Sequence, residues 1–329
     1  MDRMDTQPTL ADITRAAERI RPYAHRTPVL TCASLDELTG VRLFFKCENF
    51  QKVGAFKFRG ACNAVFSLSE EEARRGVATH SSGNHAAALS LAARLRGIAA
   101  HVVMPTTSRA IKQAAVAGYG GRIVLCEPTL ASREATLEKV VAQTGAAVVH
   151  PYNDARVIAG QGTAALELLD DVQDLDVVMA PVGGGGLLSG TAITIAALSP
   201  ATRVVAAEPA GADDAARSLR EGRIVPSVNP QTIADGLLTS LGTLTFAIIR
   251  ERVERIVTVS EGAIATAMRH VWERMKVIIE PSSAVPLGAL LEGAFEAYGL
   301  RVGIILSGGN VDLDRLPWKP DGGAGVLSV

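Results

Sequence analysis

The chain has 329 residues, 48% of them hydrophobic and 20% charged, and its 33 basic and 34 acidic side chains leave a formal charge of −1. That length is enough for two domains, or one large one, around a sizeable core, and the balanced charge gives no basic surplus for nucleic acid or an anionic membrane. The four cysteines (Cys32, Cys47, Cys62 and Cys126) form no CxxC pair and read as reduced thiols of a cytoplasmic protein; the chain starts without the apolar core of a signal peptide and has no apolar run of about 18 residues.

In chain order, residues 1–20 are polar and amphipathic, and short β-branched runs then alternate with Ala/Leu-rich helical patterns. The pattern predicts strand 42–48, helix 57–68, strand 77–82, helix 84–96, strand 100–105, helix 108–118, strand 122–127, helix 131–144, strand 146–152 and helix 160–170. Strand 176–182, helix 187–198, strands 203–209 and 255–260, helices 261–275 and 283–297 and strand 301–308 follow, and 321–329 (DGGAGVLSV) reads as a loose tail. There is no internal repeat. Strands alternating with helices predict an α/β fold with parallel sheets covered on both faces.

Ligands of such sheets bind beyond the carboxyl ends of strands. Four polar, Gly-rich turns stand there: SSGNH after VATH, GGGG after VVMAPV, EPAGADD after RVVAA, and SGGN after GIIL. One such turn merely connects elements; four in comparable positions point to one composite site. Gly183, Gly184, Gly185 and Gly186 open the helix LLSGTAITIAAL. Glycines there let backbone N–H groups approach an anion at a helix N-terminus, which makes a phosphate cradle. No Gly-Lys-Ser/Thr follows, and Leu188 stands where a dinucleotide fingerprint needs its third glycine, so a cofactor phosphate monoester fits better. Lys57 lies in GAFKFRGA between two phenylalanines at a helix start. Partial desolvation there lowers an amine's pKa, as Schiff-base chemistry requires; on spacing alone a surface lysine at a helix start is the simpler reading. Arg59 is expected to make a structural ion pair. Glu208, Asp213 and Asp214 flank a bend that suits either a hard divalent cation or solvent.

GAFKFRGA, SSGNH, GGGGLLSG, EPAGADD and SGGN, in this order and spacing, resemble the serine/threonine dehydratase and serine racemase family over residues 10–315. The resemblance implies a two-domain, pyridoxal-phosphate-dependent fold type II, like the tryptophan synthase β-subunit. A large domain (1–76 plus 154–329) would carry the cofactor and a small mobile one (77–153) would close over substrate. It implies that Lys57 holds pyridoxal 5′-phosphate as a Schiff base, beside Phe56. Asn84 would bond the cofactor's phenolic oxygen, Gly183, Gly184, Gly185 and Gly186 its phosphate, and Ser307 its pyridine nitrogen, with Asn153 and Glu280 also lining the site. Ser81, Ser82, Gly83, Asn84 and His85 would receive the substrate carboxylate, Ser82 facing Lys57 as in racemases; for the His85 side chain, local bonding at the helix start is the simpler role. Glu208, the Ala212 carbonyl and Asp214 would hold a divalent cation (Mg²⁺, Mn²⁺ or Ca²⁺).

The activity so implied is loss of water from a β-hydroxy amino acid of the L-serine or L-threonine type, giving a 2-oxo acid and ammonia. Lys57 would take the α-proton, and the cofactor phosphate would assist the leaving hydroxyl. Serine racemisation and dehydration of 3-hydroxyaspartate or phenylserine are the alternatives. A homodimer in the cytoplasm is expected, with no nucleic acid or membrane partner. Ala55 replaces a frequent serine, and Ala86 and Ala87 replace the Gly-Gln of racemases, which puts a nucleotide effector in doubt. The chain ends soon after SGGN, so neither a regulatory C-terminal domain nor isoleucine feedback is expected.

Overall fold

The computed structural model describes residues 6–318. Ten strands form two sheets: β1 (Val29–Leu30), β2 (Arg42–Cys47), β7 (Val177–Pro181), β8 (Arg203–Pro209), β9 (Arg255–Val259) and β10 (Arg301–Leu306) in the order β1-β2-β10-β7-β8-β9, and β3 (Val77–His80), β4 (Ala100–Pro105), β5 (Arg122–Cys126) and β6 (Ala147–Val148) in the order β5-β4-β3-β6. Every pairing is parallel except β1 with β2, where Val29 faces Lys46. β7 is buried along its whole length, and β8 and β10 are buried beyond their first residue. Helices therefore cover both faces, and continuous apolar runs are what such strands need.

All nine expected strands form, and β1 is added at the edge. The strand expected at 146–152 shrinks to two residues, because His150 and Pro151 leave the sheet after β6 has paired only with Val77 and Ala78 of β3. The helix expected from residue 160 starts earlier, as Ala155–Asp171. The Asp154 carboxylate accepts from the N–H groups of Arg156 (2.8 Å) and Val157 (3.4 Å) and caps it. Gly160 and Gly162 obscure that start; a Cβ on Gly160 would stand 2.6 Å from the Arg59 carbonyl oxygen, and one on Gly190 would stand 2.5 Å from the Gly162 nitrogen. Glycine is what lets the helices Lys57–Phe66, Ala155–Asp171 and Gly186–Leu198 pack this closely.

The expected helix 261–275 divides into Glu261–His270 and a π-turn, Val271–Met275, which ends at Lys276 with φ +61°. The helix expected at 283–297 is Pro281–Leu291. Five short helices went unpredicted: Leu10–Ile20, Ala33–Thr39, Glu70–Arg74, Asp214–Glu221 and Thr243–Arg252. Two of them carry capping boxes legible in the sequence, Thr9 with Asp12 and Ser69 with Glu72. All four cysteines are free thiols, and among the described residues no helix is long and apolar enough to cross a membrane. The 321–329 segment lies outside the described residues.

Candidate active site

Lys57 opens the helix Lys57–Phe66, directly after a segment tied by its backbone to the end of β10. Phe56 donates its N–H to the Ser307 carbonyl at 3.0 Å, and Gly309 donates to the Gly54 carbonyl at 2.9 Å. These bonds bring Lys57 and Ser307, 250 positions apart, to one place. The Lys57 amine donates to the Pro151 carbonyl at 2.9 Å and lies 5.1 Å from the centre of the Phe56 ring. Burial lowers its pKa to about 8, against the attraction of Glu280. The lowered value enlarges the unprotonated fraction of this amine near neutrality, the form that attacks a carbonyl.

Glu280 is buried, and burial pushes its carboxyl up to about 7, with the Asn84 amide working the other way. Asn84 Nδ2 donates to both Glu280 oxygens at 3.1 Å, and Asn84 Oδ1 accepts from Asn310 Nδ2 at 3.0 Å. Asn84 therefore joins the turn after β3 to the turn after β10. Ser307 is buried, its hydroxyl 3.1 Å from that of Ser283.

The glycine turn follows β7. Gly185 has φ +88°, a conformation that L side chains rarely adopt. A Cβ on Gly184 would stand 2.3 Å from the Tyr152 ring, and one on Gly183 would stand 2.9 Å from the Leu237 Cα. The turn has room for backbone only, and the helix Gly186–Leu198 that it opens presents N–H groups without intrahelical partners. Tyr152, not Asn153, packs on this turn. Asn153 Oδ1 accepts from the Leu244 N–H at 2.9 Å and its Nδ2 donates to Thr243 Oγ1 at 3.2 Å, so its amide is committed to the start of the helix Thr243–Arg252.

Ser81, Ser82 and Gly83 form a partly exposed turn before the helix Asn84–Arg96. The His85 side chain lies in the core instead, with Nε2 3.2 Å from the Val149 carbonyl oxygen and burial holding its pKa well below the usual range. Only its backbone is left for a ligand of the turn. His150 Nδ1 accepts from the N–H groups of Asn153 (2.9 Å) and Tyr152 (3.3 Å), and burial brings its pKa to about 4, so its ring is neutral with the proton on Nε2.

At the end of β8, Glu208 accepts from the N–H groups of Ala216 (2.6 Å) and Ala215 (3.2 Å), while Asp214 Oδ2 is buried without a hydrogen-bond partner. Burial raises Glu208 to about 8, with the charges of Asp214 and Asp213 adding to it, and raises Asp214 to about 6, with the Ser227 hydroxyl working the other way and Asp213 adding to it. Asp213 itself pairs with Arg217 at 2.8 Å. A cation is the charge this pocket lacks. Among the described residues no three His, Cys, Asp or Glu side chains converge for a metal, so two carboxylates there would need backbone carbonyls or water to complete a shell.

Sequence reasoning passed over Tyr152, Thr245 and Arg133. Thr245 Oγ1 donates to the Gly184 carbonyl at 2.8 Å and holds the glycine turn. Burial lowers the His80 pKa, with Glu134 working against it and Arg133 adding to it, and the buried Arg133 Nε has no hydrogen-bond partner. His80 and His150 meet edge to face at 6.0 Å. None of these positions belongs to a Gly-rich turn, the signal that exposed the others.

An amine of lowered pKa beside a side-chain-free anion cradle suits a phosphorylated aldehyde. The sequence profile described as "Pyridoxal-phosphate dependent enzyme" matches residues 20–308. The chain is 55% identical to the beta-hydroxyaspartate dehydratase of Paracoccus denitrificans, over 95% of this chain and 99% of that relative. The crystal structure of serine racemase from Dictyostelium discoideum superposes with a TM-score of 0.90 at 52% identity, over 94% of this chain and all of that one. Threonine deaminase isoform 2 from Solanum lycopersicum gives 0.88 at 32% identity, over 94% of each chain. With a family match across most of its length and relatives of this extent, the chain belongs to the pyridoxal-phosphate dependent enzymes, in their fold type II architecture.

Proposed function

We propose that the protein removes water, and then ammonia, from a β-hydroxy amino acid. The observation that carries this reading is the convergence of the Lys57 amine, the glycine turn, Asn84, Glu280 and Ser307 at the carboxyl ends of β3, β7 and β10. Pyridoxal 5′-phosphate, when bound, withdraws electrons from the substrate's α-carbon. The Lys57 amine would hold the cofactor aldehyde and, as a neutral amine, would take the substrate's α-proton. Gly183, Gly184, Gly185 and Gly186 hold the phosphate with backbone N–H groups, while Asn84 and Ser307 orient the ring. Ser81, Ser82 and Gly83 take the α-carboxylate. Glu208, Asp214 and the Ala212 carbonyl hold a divalent cation away from the reacting atoms.

A second carboxylate on the substrate is favoured by one observation. Arg133 has an unpartnered Nε near His80, which adjoins His150. Together with the named activity of the Paracoccus relative, this supports 3-hydroxyaspartate as the substrate ahead of serine or threonine. Segment 77–153 acts as a body that closes over the site, and the enzyme is a cytoplasmic homodimer, in keeping with its free thiols.

The test follows oxo acid and enantiomers together across L-serine, L-threonine and both 3-hydroxyaspartate diastereomers. Oxo-acid release should dominate and be fastest from a 3-hydroxyaspartate. Ser82→Ala should cut inversion far more than elimination from L-substrates. Racemised amino acid outpacing oxo acid with every substrate would make the protein a racemase instead.

A further inference from the structure

We propose that His150 is a specificity-determining residue: a fixed, donor-only imidazole whose Nε2–H binds the second carboxylate of the substrate together with Arg133. The proposal deepens the reading of 3-hydroxyaspartate as the substrate and rests on it. His150 stands where three parts of the site meet. The next residue, Pro151, accepts from the Lys57 amine through its carbonyl at 2.9 Å. The Tyr152 ring, which packs on Gly184, meets the His150 ring edge to face at 4.6 Å. The ring of His80, which directly precedes Ser81, meets it edge to face at 6.0 Å.

The ring proton of His150 is fixed by partners that can act in one way only. Nδ1 accepts from the backbone N–H groups of Asn153 at 2.9 Å and Tyr152 at 3.3 Å. An amide N–H cannot accept, so Nδ1 carries no proton and the neutral ring keeps its proton on Nε2. A second proton would set an Nδ1–H against both amides, and burial also opposes it. These amides are themselves held, because the Asn153 side chain is tied to the Leu244 N–H at 2.9 Å and the Thr243 hydroxyl at 3.2 Å. With Nδ1 occupied the ring cannot serve as a base, and loss of the Nε2 proton would leave an imidazolate. Donation from Nε2 is its one capacity. That nitrogen meets no protein acceptor among the described residues, and unlike the sealed Nδ1 of His85 it is reachable by solvent. A donor held this firmly, with its proton unspent, is a preorganised binding group for a ligand oxygen.

The oxygen it suits is anionic. Lys57 acts on the charge of His150, and Arg133, whose buried Nε also lacks a partner, acts on that of His80. Glu134 opposes Arg133 at His80, while Asp154, the acid that acts on His150, is paired with Arg156 at 2.6 Å. An amino acid places its α-carboxylate at Ser81, Ser82 and Gly83 and its amine at the cofactor. A second carboxylate is then the group left to meet His150 and Arg133, and L-serine and L-threonine bring none.

Kinetics of the holoenzyme on 3-hydroxyaspartate and L-serine, with calorimetric binding of succinate as a dicarboxylate that cannot react, test this. His150→Asn sets an Oδ1 where Nδ1 stood, so it keeps an acceptor for the two backbone N–H groups and removes the outer donor. It should raise KM for 3-hydroxyaspartate and Kd for succinate about tenfold or more, and KM for L-serine much less. His150→Gln returns an N–H to the outer position and gives up the inner acceptor. It should recover part of the loss, which a purely structural role would not allow. Nitrogen-15 histidine labelling of the unmodified holoenzyme decides the matter if the variants fail to fold: saturating succinate should displace one Nε2–H signal of a neutral histidine. No displaced signal, or equal losses on both substrates with succinate affinity unchanged, overturns the proposal and leaves 3-hydroxyaspartate as the substrate. Preference of the unmodified enzyme for L-serine overturns that reading and the proposal with it.

Discussion

Burial holds Lys57 at about 8, below its ordinary 10.5, and two measurable consequences follow. Only the neutral amine attacks an aldehyde. Capture of pyridoxal phosphate by cofactor-free protein should therefore accelerate with pH up to about 8 and then level off; stopped-flow absorbance that stays flat across that range would remove Lys57 from the role. The second consequence is a stability change. Between 8 and 10.5 the unfolded chain keeps a proton that the folded chain has lost, so stability rises with pH through that window. Below it both states are charged, and the folded state bears the whole cost of burying an ammonium. Lys57→Met should stabilise the cofactor-free protein at neutral pH by on the order of 1–3 kcal/mol, read as a raised thermal midpoint, with the gap closing toward the top of the window. The acidic bend behaves in the opposite sense. Asp214 Oδ2 is buried and unpartnered, so Mg²⁺, Mn²⁺ or Ca²⁺ should raise the midpoint by mass action. Glu208→Ala should abolish that response; an undiminished response would place the cation elsewhere.

The helix that presents Lys57 is held from below by a buried charge network. Arg59 donates to both oxygens of Glu48 at 2.7 and 2.9 Å and to both oxygens of Glu167 at 2.7 Å, and Lys46 donates to Glu167 at 2.7 Å. Two cations balance two carboxylates, and the network ties the end of β2, the helix Lys57–Phe66 and the helix Ala155–Asp171 together. Arg59→Ala leaves both carboxylates buried beside Lys46 alone and should cost about 3–5 kcal/mol by denaturant unfolding. Arg59→Lys should recover little, because a point charge cannot serve two carboxylates in bidentate fashion. Burial works to raise the Glu167 carboxyl, yet bonding and attraction from Arg59 hold it below its ordinary value. This contribution is present at neutral pH and is lost as pH falls through that depressed value. An ion pair for Arg59 was legible from its setting, but its partners were not: Glu48 and Glu167 are separated from it by 11 and 108 positions, and nothing local in the sequence joins them. Elements were legible where pattern and breakers agreed, as for the helix Asn84–Arg96 ended by Gly97 at φ +73°. They blurred where glycine served packing between helices, as at Gly160 and Gly162.

Across the whole molecule, the turns that build the site stood out in the sequence because each follows a strand and breaks its pattern, and parallel topology brings such ends together. Contacts between the turns did not stand out: Asn84 and Glu280 are 196 positions apart, and Tyr152 reaches the glycine turn from a strand that ends early. The two sheets are also joined around this site. Lys112 pairs with Asp235 at 2.7 Å and Arg109 with Asp312 at 3.3 Å, so the helix Ala110–Gly118 from the four-stranded side is fastened to loops of the six-stranded side. Asp235 and Lys112 both lie near enough to Glu280 to act on its charge, which puts the first pair at the margin of the site. Exposed pairs of this kind contribute about 0–1 kcal/mol to folding, so their effect should appear in substrate capture rather than in stability. Lys112→Ala should raise KM several-fold and shift the thermal midpoint little. Added salt should raise KM in the unmodified enzyme and much less in the variant, because screening weakens the same attraction that the substitution removes. Reversing both charges, Lys112→Asp with Asp235→Lys, should restore KM toward its original value. A KM that responds equally to salt in all three proteins would show that the pair does not hold the two sides together over the substrate.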